Sequence, residues 1–213
     1  MTGTPPYGPA PGLCVFCSSS ERIEPRFVEL AGQVGTRLAE RGWRLVSGGG
    51  SVSMMGAVAR AARAGGAHTL GVIPSALEAA EVADHDADEL VVTEGMRDRK
   101  GLMDASADAF LALPGGIGTL EELLEVWVAR SLGMHDKPVV VLDPDDVYAH
   151  LRAQVDALVE GGFVRPVAAA AAVWVRTVDE AFAELDAGLA ARAAVTPPTT
   201  RREADEELLE ADP

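Results

Sequence analysis

Between Ala109 and Trp127 an apolar run, a glycine turn and a helically spaced segment follow one another without a break. Ala109-Phe110-Leu111-Ala112-Leu113 reads as a strand buried on both faces, the pattern of a parallel sheet. Pro114-Gly115-Gly116-Ile117-Gly118-Thr119 turns the chain, and Leu120-Glu121-Glu122-Leu123-Leu124-Glu125-Val126-Trp127 carries apolar positions at helical spacing. A strand that passes through a short turn into a helix is one half of a βαβ crossover, so this stretch commits the chain to an α/β fold. The turn also brings free backbone N–H groups and a helix N-terminus to one point, a ready anion site. Two carboxylates follow within one helical turn.

The rest of the chain repeats the alternation. Leu13 to Cys17 is a first strand and Ser18-Ser19-Ser20 a polar turn. Pro25 opens a helix that carries Phe27, Leu30, Val34 and Leu38 inward and stops near Gly42. Trp43 to Val46 is a second strand, leading through Ser47-Gly48-Gly49-Gly50-Ser51 into a helix with Met54, Met55, Val58 and Ala62. Thr69 to Ile73 is a third strand, residues 75–88 a loop or short helix over the site, and Glu89 to Val92 a fourth strand. A helix runs from Met96 to about Ala107. After the central unit come a strand at Val139–Leu142 and a helix from Val147 to Glu160 capped by Asp143-Pro144-Asp145. Short extended pieces follow at Phe163-Val164 and Val173-Trp174-Val175, then a helix from Val178 to about Ala193. The expected architecture is a single α/β domain, a doubly wound parallel sheet over residues 12–193, with ligands at the carboxyl ends of the strands. A Pro/Gly-rich leader, 1–11, and an acidic tail, 194–213, lie outside it.

Composition excludes several classes. A length of 213 residues holds one cored domain, and a net charge of −15 argues against a nucleic-acid surface. No apolar run approaches the roughly 20 residues of a membrane span, and the leader lacks the basic and apolar regions of a signal peptide. A cytoplasmic protein is expected. Cys14 and Cys17 form C-x-x-C inside a strand, where cysteine serves as a small core hydrophobe. The four histidines show no metal-ligand spacing, so no metal is expected.

Three constellations can carry chemistry. The two glycine turns, Gly48-Gly49-Gly50-Ser51 and Gly115-Gly116-Ile117-Gly118-Thr119, share one strand–turn–helix design, yet neither is a dinucleotide fingerprint or a Walker A motif. Arg97-Asp98-Arg99-Lys100 puts cations at a helix N-terminus against the macrodipole, which suits phosphate contacts better than helix stability. Glu121 and Glu122, with Glu81 in the preceding loop, supply carboxylates. Adjacent helical residues diverge, so only one of the pair can fully face a cleft.

Ser47-Gly48-Gly49-Gly50-Ser51 with Met55-Gly56, Met96-Arg97-Asp98-Arg99-Lys100, and Pro114-Gly115-Gly116-Ile117-Gly118-Thr119-Leu120-Glu121-Glu122 together resemble the LOG (Lonely Guy) family. These are cytokinin riboside 5′-monophosphate phosphoribohydrolases, long labelled lysine decarboxylase-like. The likeness runs from about Leu13 to Ala187 and includes Leu132-Gly133-Met134-His135-Asp136-Lys137-Pro138. It implies a Rossmann-like homodimer that hydrolyses the N-glycosidic bond of a purine nucleoside 5′-monophosphate, without metal or organic cofactor. By that resemblance Arg99 and Glu122 are the catalytic pair. The first glycine turn (Gly48, Gly49, Gly50, Ser51), Gly115 to Leu120 with Thr119, Lys100 and Ser18 hold the substrate, and Glu121 and Glu81 contact the nucleotide. The chain departs from the family pattern at Ser47, Ser53-Met54, Val128 and Ala129, near the base pocket, which leaves the base open.

Two other classes compete with this one. A lysine decarboxylase needs a Schiff-base lysine, and only Lys100 and Lys137 exist to supply it. A non-catalytic nucleotide-binding module would use the same glycine turns, but binding alone does not call for an acid beside a phosphate.

Overall fold

The computed structural model of the chain describes residues 10–78 and 83–194. Seven strands alternate with helices: β1 (Gly12–Phe16), α1 (Pro25–Glu40), β2 (Arg44–Ser47), α2 (Ser53–Ala64), β3 (Thr69–Pro74), α3 (Ser75–Glu78), β4 (Glu89–Thr93), α4 (Met96–Ser106), β5 (Ala109–Ala112), α5 (Ile117–Ser131), β6 (Val139–Leu142), α6 (Ala149–Glu160), α7 (Pro166–Ala169), β7 (Ala172–Val175) and α8 (Val178–Ala194). All neighbours pair in parallel, in the order β4-β3-β2-β1-β5-β6-β7. The doubly wound reading holds.

The pleat explains the two layers. Along β1, Leu13, Val15 and Cys17 enter the core under α1, α2 and α8, while Cys14 and Phe16 enter the other, under α4 and α5. β5 divides the same way, Ala109 and Leu111 on one side, Phe110 and Ala112 on the other. A strand buried on both faces has no polar alternation, which is why these runs are continuous in sequence. Fully buried side chains such as Phe110, Leu111 and Phe182 each contribute about 1.5–3 kcal/mol of burial. Pro25 starts α1 as its first residue, and α1 buries Ala31, Val34 and Leu38 at helical spacing.

The chain winds outward from β1 to β4, then returns to β5 on the other side of β1. Between β1 and β5 the winding reverses, so the loops after these two strands diverge and leave a crevice. Phe16 pairs with Ala112, and Leu113 N–H donates to Phe16 O at 2.9 Å, so both loops leave the sheet at one level.

Some local readings change. Phe163 is not in an extended piece. It follows α6 in a turn, its N–H on Leu158 O at 2.9 Å, and the residue is 84% exposed; Val164 N–H shares that carbonyl at 3.1 Å. The Ala-rich stretch after it forms α7, which its sequence gave no period to reveal. The helix placed at Val147 begins at Ala149, with Tyr148 at its N-cap and no side-chain cap; Asp143 instead braces the turn before it, accepting from Val147 N–H at 2.8 Å and Tyr148 N–H at 3.0 Å. Of the segment 75–88, α3 is a short helix. Glu81, residues 1–9 of the leader and residues 195–213 of the tail lie outside the described residues.

Candidate active site

The crevice at the switch point holds a cavity of about 320 Å³. One wall is the loop after β1, Cys17 to Ser20. The opposite wall is the start of α5, with Gly116, Ile117, Gly118, Thr119, Glu121 and Glu122. Met55 of α2, Leu77 of α3, and Met96 and Arg99 of α4 complete it. The N-cap of α5 is Gly116, without a side-chain cap, and its first turn carries no acid. Its leading N–H groups and positive dipole end therefore face the cavity uncompensated.

Arg99 is the best-anchored charge in the site. It is 6% exposed. Its Nε donates to Val72 O at 3.0 Å, Nη2 to Gly48 O at 3.4 Å and Nη1 to Glu122 Oε1 at 3.1 Å. The ends of β3 and β2 thus aim the guanidinium at an acid on α5. Both side chains of the ion pair are close to nine-tenths buried, a setting in which charge–charge contacts are screened weakly.

Gly48 is dictated by that arrangement. A Cβ there would stand 2.0 Å from Arg99 Nη2. The first glycine turn serves Arg99 rather than opening onto the cavity: Gly49 adopts φ +77° against β3, Gly50 bridges to Ala83, and Ser51 O accepts from Arg60 Nη1 at 3.1 Å. None of the four lines the cavity.

The second turn is supported from below. A Cβ on Gly115 would stand 2.1 Å from Thr119 Oγ1, so only glycine lets the buried threonine fold back over the loop. Tyr148 Oη donates to Leu113 O at 2.8 Å and approaches Gly115 O at 3.5 Å, fixing the strand end that launches the turn. Burial raises the Tyr148 phenol well above its ordinary range, so it stays a donor. Leu120 is half-buried and packs into the core beneath α5.

Lys100, expected at the phosphate, does not line this cavity. Its ammonium lies 2.5 Å from Glu121 Oε1 and 2.6 Å from Glu125 Oε2, tying α4 to α5 outside the cavity. Those hydrogen bonds, Glu121 first, raise its pKa. Glu121 and Glu122 divide as the helical geometry requires, Glu122 inward to Arg99 and Glu121 to the rim. Ser18, Gly116, Ile117, Gly118 and Thr119 stand where the sequence placed them, around one cavity with the Arg99–Glu122 pair. Cys17, Ser19, Ser20 and Leu77 line the cavity beyond the expected residues, as do Met55 and Met96, which the sequence marks only as members of the family motifs, and Tyr148 supports it from below. The serine run and the two motifs are the signals, since an apolar side chain lining a cleft otherwise looks like core.

Burial raises the thiols of Cys14 and Cys17, with Glu122 adding to the effect, so neither is a thiolate near neutral pH. Both are free and buried in the core. Among the described residues no group of three or more His, Cys, Asp or Glu is placed to hold a metal ion, and no helix is long and apolar enough to cross a membrane. A second cavity of about 140 Å³ lies on the far side of Glu122, between α4 and α5, where Phe16, Met103, Phe110, Val126 and Ala129 form an apolar wall and Lys100, Asp104, Glu125 and His135 a polar one.

A family model described as possible lysine decarboxylase matches residues 55–185. A cytokinin riboside 5′-monophosphate phosphoribohydrolase from Mycobacterium marinum is 52% identical over 170 residues, 80% of this chain and 90% of that protein. The chain belongs to the LOG family. Another LOG-family protein of the same description, from Mycobacterium tuberculosis, is 50% identical over the same shares. One from Arabidopsis thaliana is 47% identical over 73% of this chain and 72% of its own length. Among solved structures, a molybdenum cofactor binding protein from Rippkaea orientalis shares the fold at TM-score 0.64 and 24% identity, over 85% of this chain and 98% of that one. The matched family segment includes Arg99, Glu122 and the α5 turn, and so covers the cavity's walls apart from the Cys17–Ser20 loop.

Proposed function

We propose that this chain hydrolyses the N-glycosidic bond of a purine riboside 5′-monophosphate, cytokinin-type or AMP-like, releasing the free base and ribose 5-phosphate. The observation that carries the reading is the buried Arg99–Glu122 pair beside the open N-terminus of α5. The phosphate sits on the N–H groups of Ile117 to Thr119, with the Ser18–Ser20 loop opposite. That contact fixes the sugar near Glu122. As the bond from C1′ to the base nitrogen breaks, positive charge grows on the ring, and the Glu122 carboxylate stabilises it. Water gives its oxygen to C1′ and a proton to the departing base. Arg99 holds Glu122 in place before substrate arrives, so little reorganisation is needed at the moment of reaction.

The apolar wall of the cavity behind Glu122, formed by Phe16, Met103, Phe110 and Val126, favours a base with an apolar substituent over bare adenine. The relatives' names, which specify cytokinin riboside monophosphates, agree with that preference. The active unit is a homodimer. Leu124, Val128 and Leu132 recur every four residues along α5 and stay 40%, 53% and 65% exposed, an apolar stripe beside the site that a second copy would cover. Sedimentation of the protein and of Val128→Glu tests this: a dimer that becomes monomeric supports it, and a wild-type monomer overturns it.

The experiment for the activity is a panel of nucleoside 5′-monophosphates assayed for free base and ribose 5-phosphate. Equimolar release of both from a purine monophosphate, and none from the corresponding nucleoside, is expected. Nucleotide binding without release would leave the non-catalytic module as the reading.

A further inference from the structure

The start of α2 contains a strained residue whose side chain is used outside its own helix. Ser53 has φ +50°, the left-handed region that side-chain-bearing residues avoid. A serine at a helix start ordinarily caps its own helix. Here α2 has Val52 at the N-cap and no side-chain cap. The Ser53 hydroxyl instead donates across to Ser20 O at 2.6 Å. Ser20 belongs to the loop that forms one wall of the nucleotide cavity, and Met55, two residues after Ser53, lines the same cavity. Among the described residues, the loop's other hydrogen bonds are short and local, Ser20 N–H to Ser18 Oγ at 3.1 Å and Arg22 N–H to Ser20 Oγ at 3.3 Å, while Cys17 and Ile23 pack its ends against the core.

We propose that Ser53 is a positioning residue for the nucleotide: its strained backbone and its bond to Ser20 latch the serine loop to α2 and set the width of the cavity. The proposal rests on the nucleotide reading above. Strain of this kind persists where surrounding contacts over-determine it, and it clusters at ligand clamps. Two walls that meet the same ligand come from separate crossovers, β1–α1 and β2–α2, and Ser53 joins them by a direct hydrogen bond. Without the latch the middle of the loop loses its hydrogen bond to α2 and samples wider positions, so substrate binding weakens while Arg99 and Glu122 keep their geometry.

The test compares wild type with Ser53→Gly and Ser53→Asn. Glycine relieves the φ strain and removes the hydroxyl. Asparagine tolerates the left-handed region and its amide can donate to Ser20 O. Three readouts are taken on each: hydrogen exchange at the Ser20 and Arg22 amides, the Kd for AMP, and the thermal midpoint. The expected result for Ser53→Gly is faster exchange at both amides and a Kd weaker by roughly threefold to tenfold, with a midpoint equal to or above wild type. Ser53→Asn restores both exchange and Kd. A merely structural residue would lower the midpoint and leave the Kd alone. Wild-type exchange and Kd in Ser53→Gly would overturn the proposal. Base release on the same preparations reports separately on the enzymatic reading: a wild type that binds AMP without cleaving it removes that reading and leaves the latch standing.

Discussion

Arg99 Nη1 lies 3.1 Å from Glu122 Oε1, on a guanidinium whose other nitrogens are held by the carbonyls of Val72 and Gly48. Three elements that are distant in sequence therefore converge on one carboxylate. Each guanidinium nitrogen has its own acceptor, so the arginine cannot swing away without leaving a buried donor unmet.

Gly48→Ala tests this support directly. The new methyl would occupy space 2.0 Å from Arg99 Nη2. The guanidinium must give way, because Gly48 directly follows the packed strand β2. Base release is expected to fall at least about tenfold, a barrier change of about 1.4 kcal/mol. The protein should remain folded by circular dichroism, since the clash falls on a side-chain terminus rather than on backbone.

The sequence carried most of the fold because parallel strands buried on both faces leave continuous apolar runs such as Ala109–Leu113 and Val139–Leu142. It carried less where a segment is short or aperiodic, as in α7 and the turn at Phe163. At the site, the glycines and the acid pair were legible, but the direction of a carbonyl was not. Gly48 reads as part of a phosphate cradle, whereas its carbonyl in fact receives Arg99. Lys100 reads as a phosphate ligand because its competitors, Glu121 and Glu125, are one turn apart on a helix that packs beside it only in three dimensions.

Lys100→Met separates those two roles. Loss of the half-exposed ties to Glu121 and Glu125 should cost about 0.5–1 kcal/mol of stability. The Kd for AMP should change less than about threefold, far below the loss of a direct charge-assisted phosphate contact. Its raised pKa fixes the pH dependence. The contribution is fully present below the unfolded lysine value near 10.4 and is lost as pH rises through the higher folded value. Denaturant titrations at pH 6 and pH 9 should therefore give the same difference between variant and wild type.

His135 shows the opposite sign. Burial lowers its pKa, and its Nε2 bonds Val126 O at 3.0 Å beside Phe110. The neutral ring contributes stability that is present above the unfolded value of about 6.5 and is progressively lost as pH falls below it toward the folded value. Wild-type stability should decline below pH 6.5, and in His135→Gln the histidine's share of that decline should disappear. Thermal midpoints from pH 5 to 8 measure it.

Glu122 is expected to act in bond cleavage rather than in binding. The most direct measurement pairs the single-turnover rate of base release with the nucleotide Kd, for wild type and Glu122→Gln, on AMP and its N6-prenylated analogue. Glutamine keeps the shape and an acceptor for Arg99 but not the charge. The predicted result is a rate lower by roughly two to three orders of magnitude with a Kd within about threefold of wild type. A glutamine variant that releases base at the wild-type rate would contradict it.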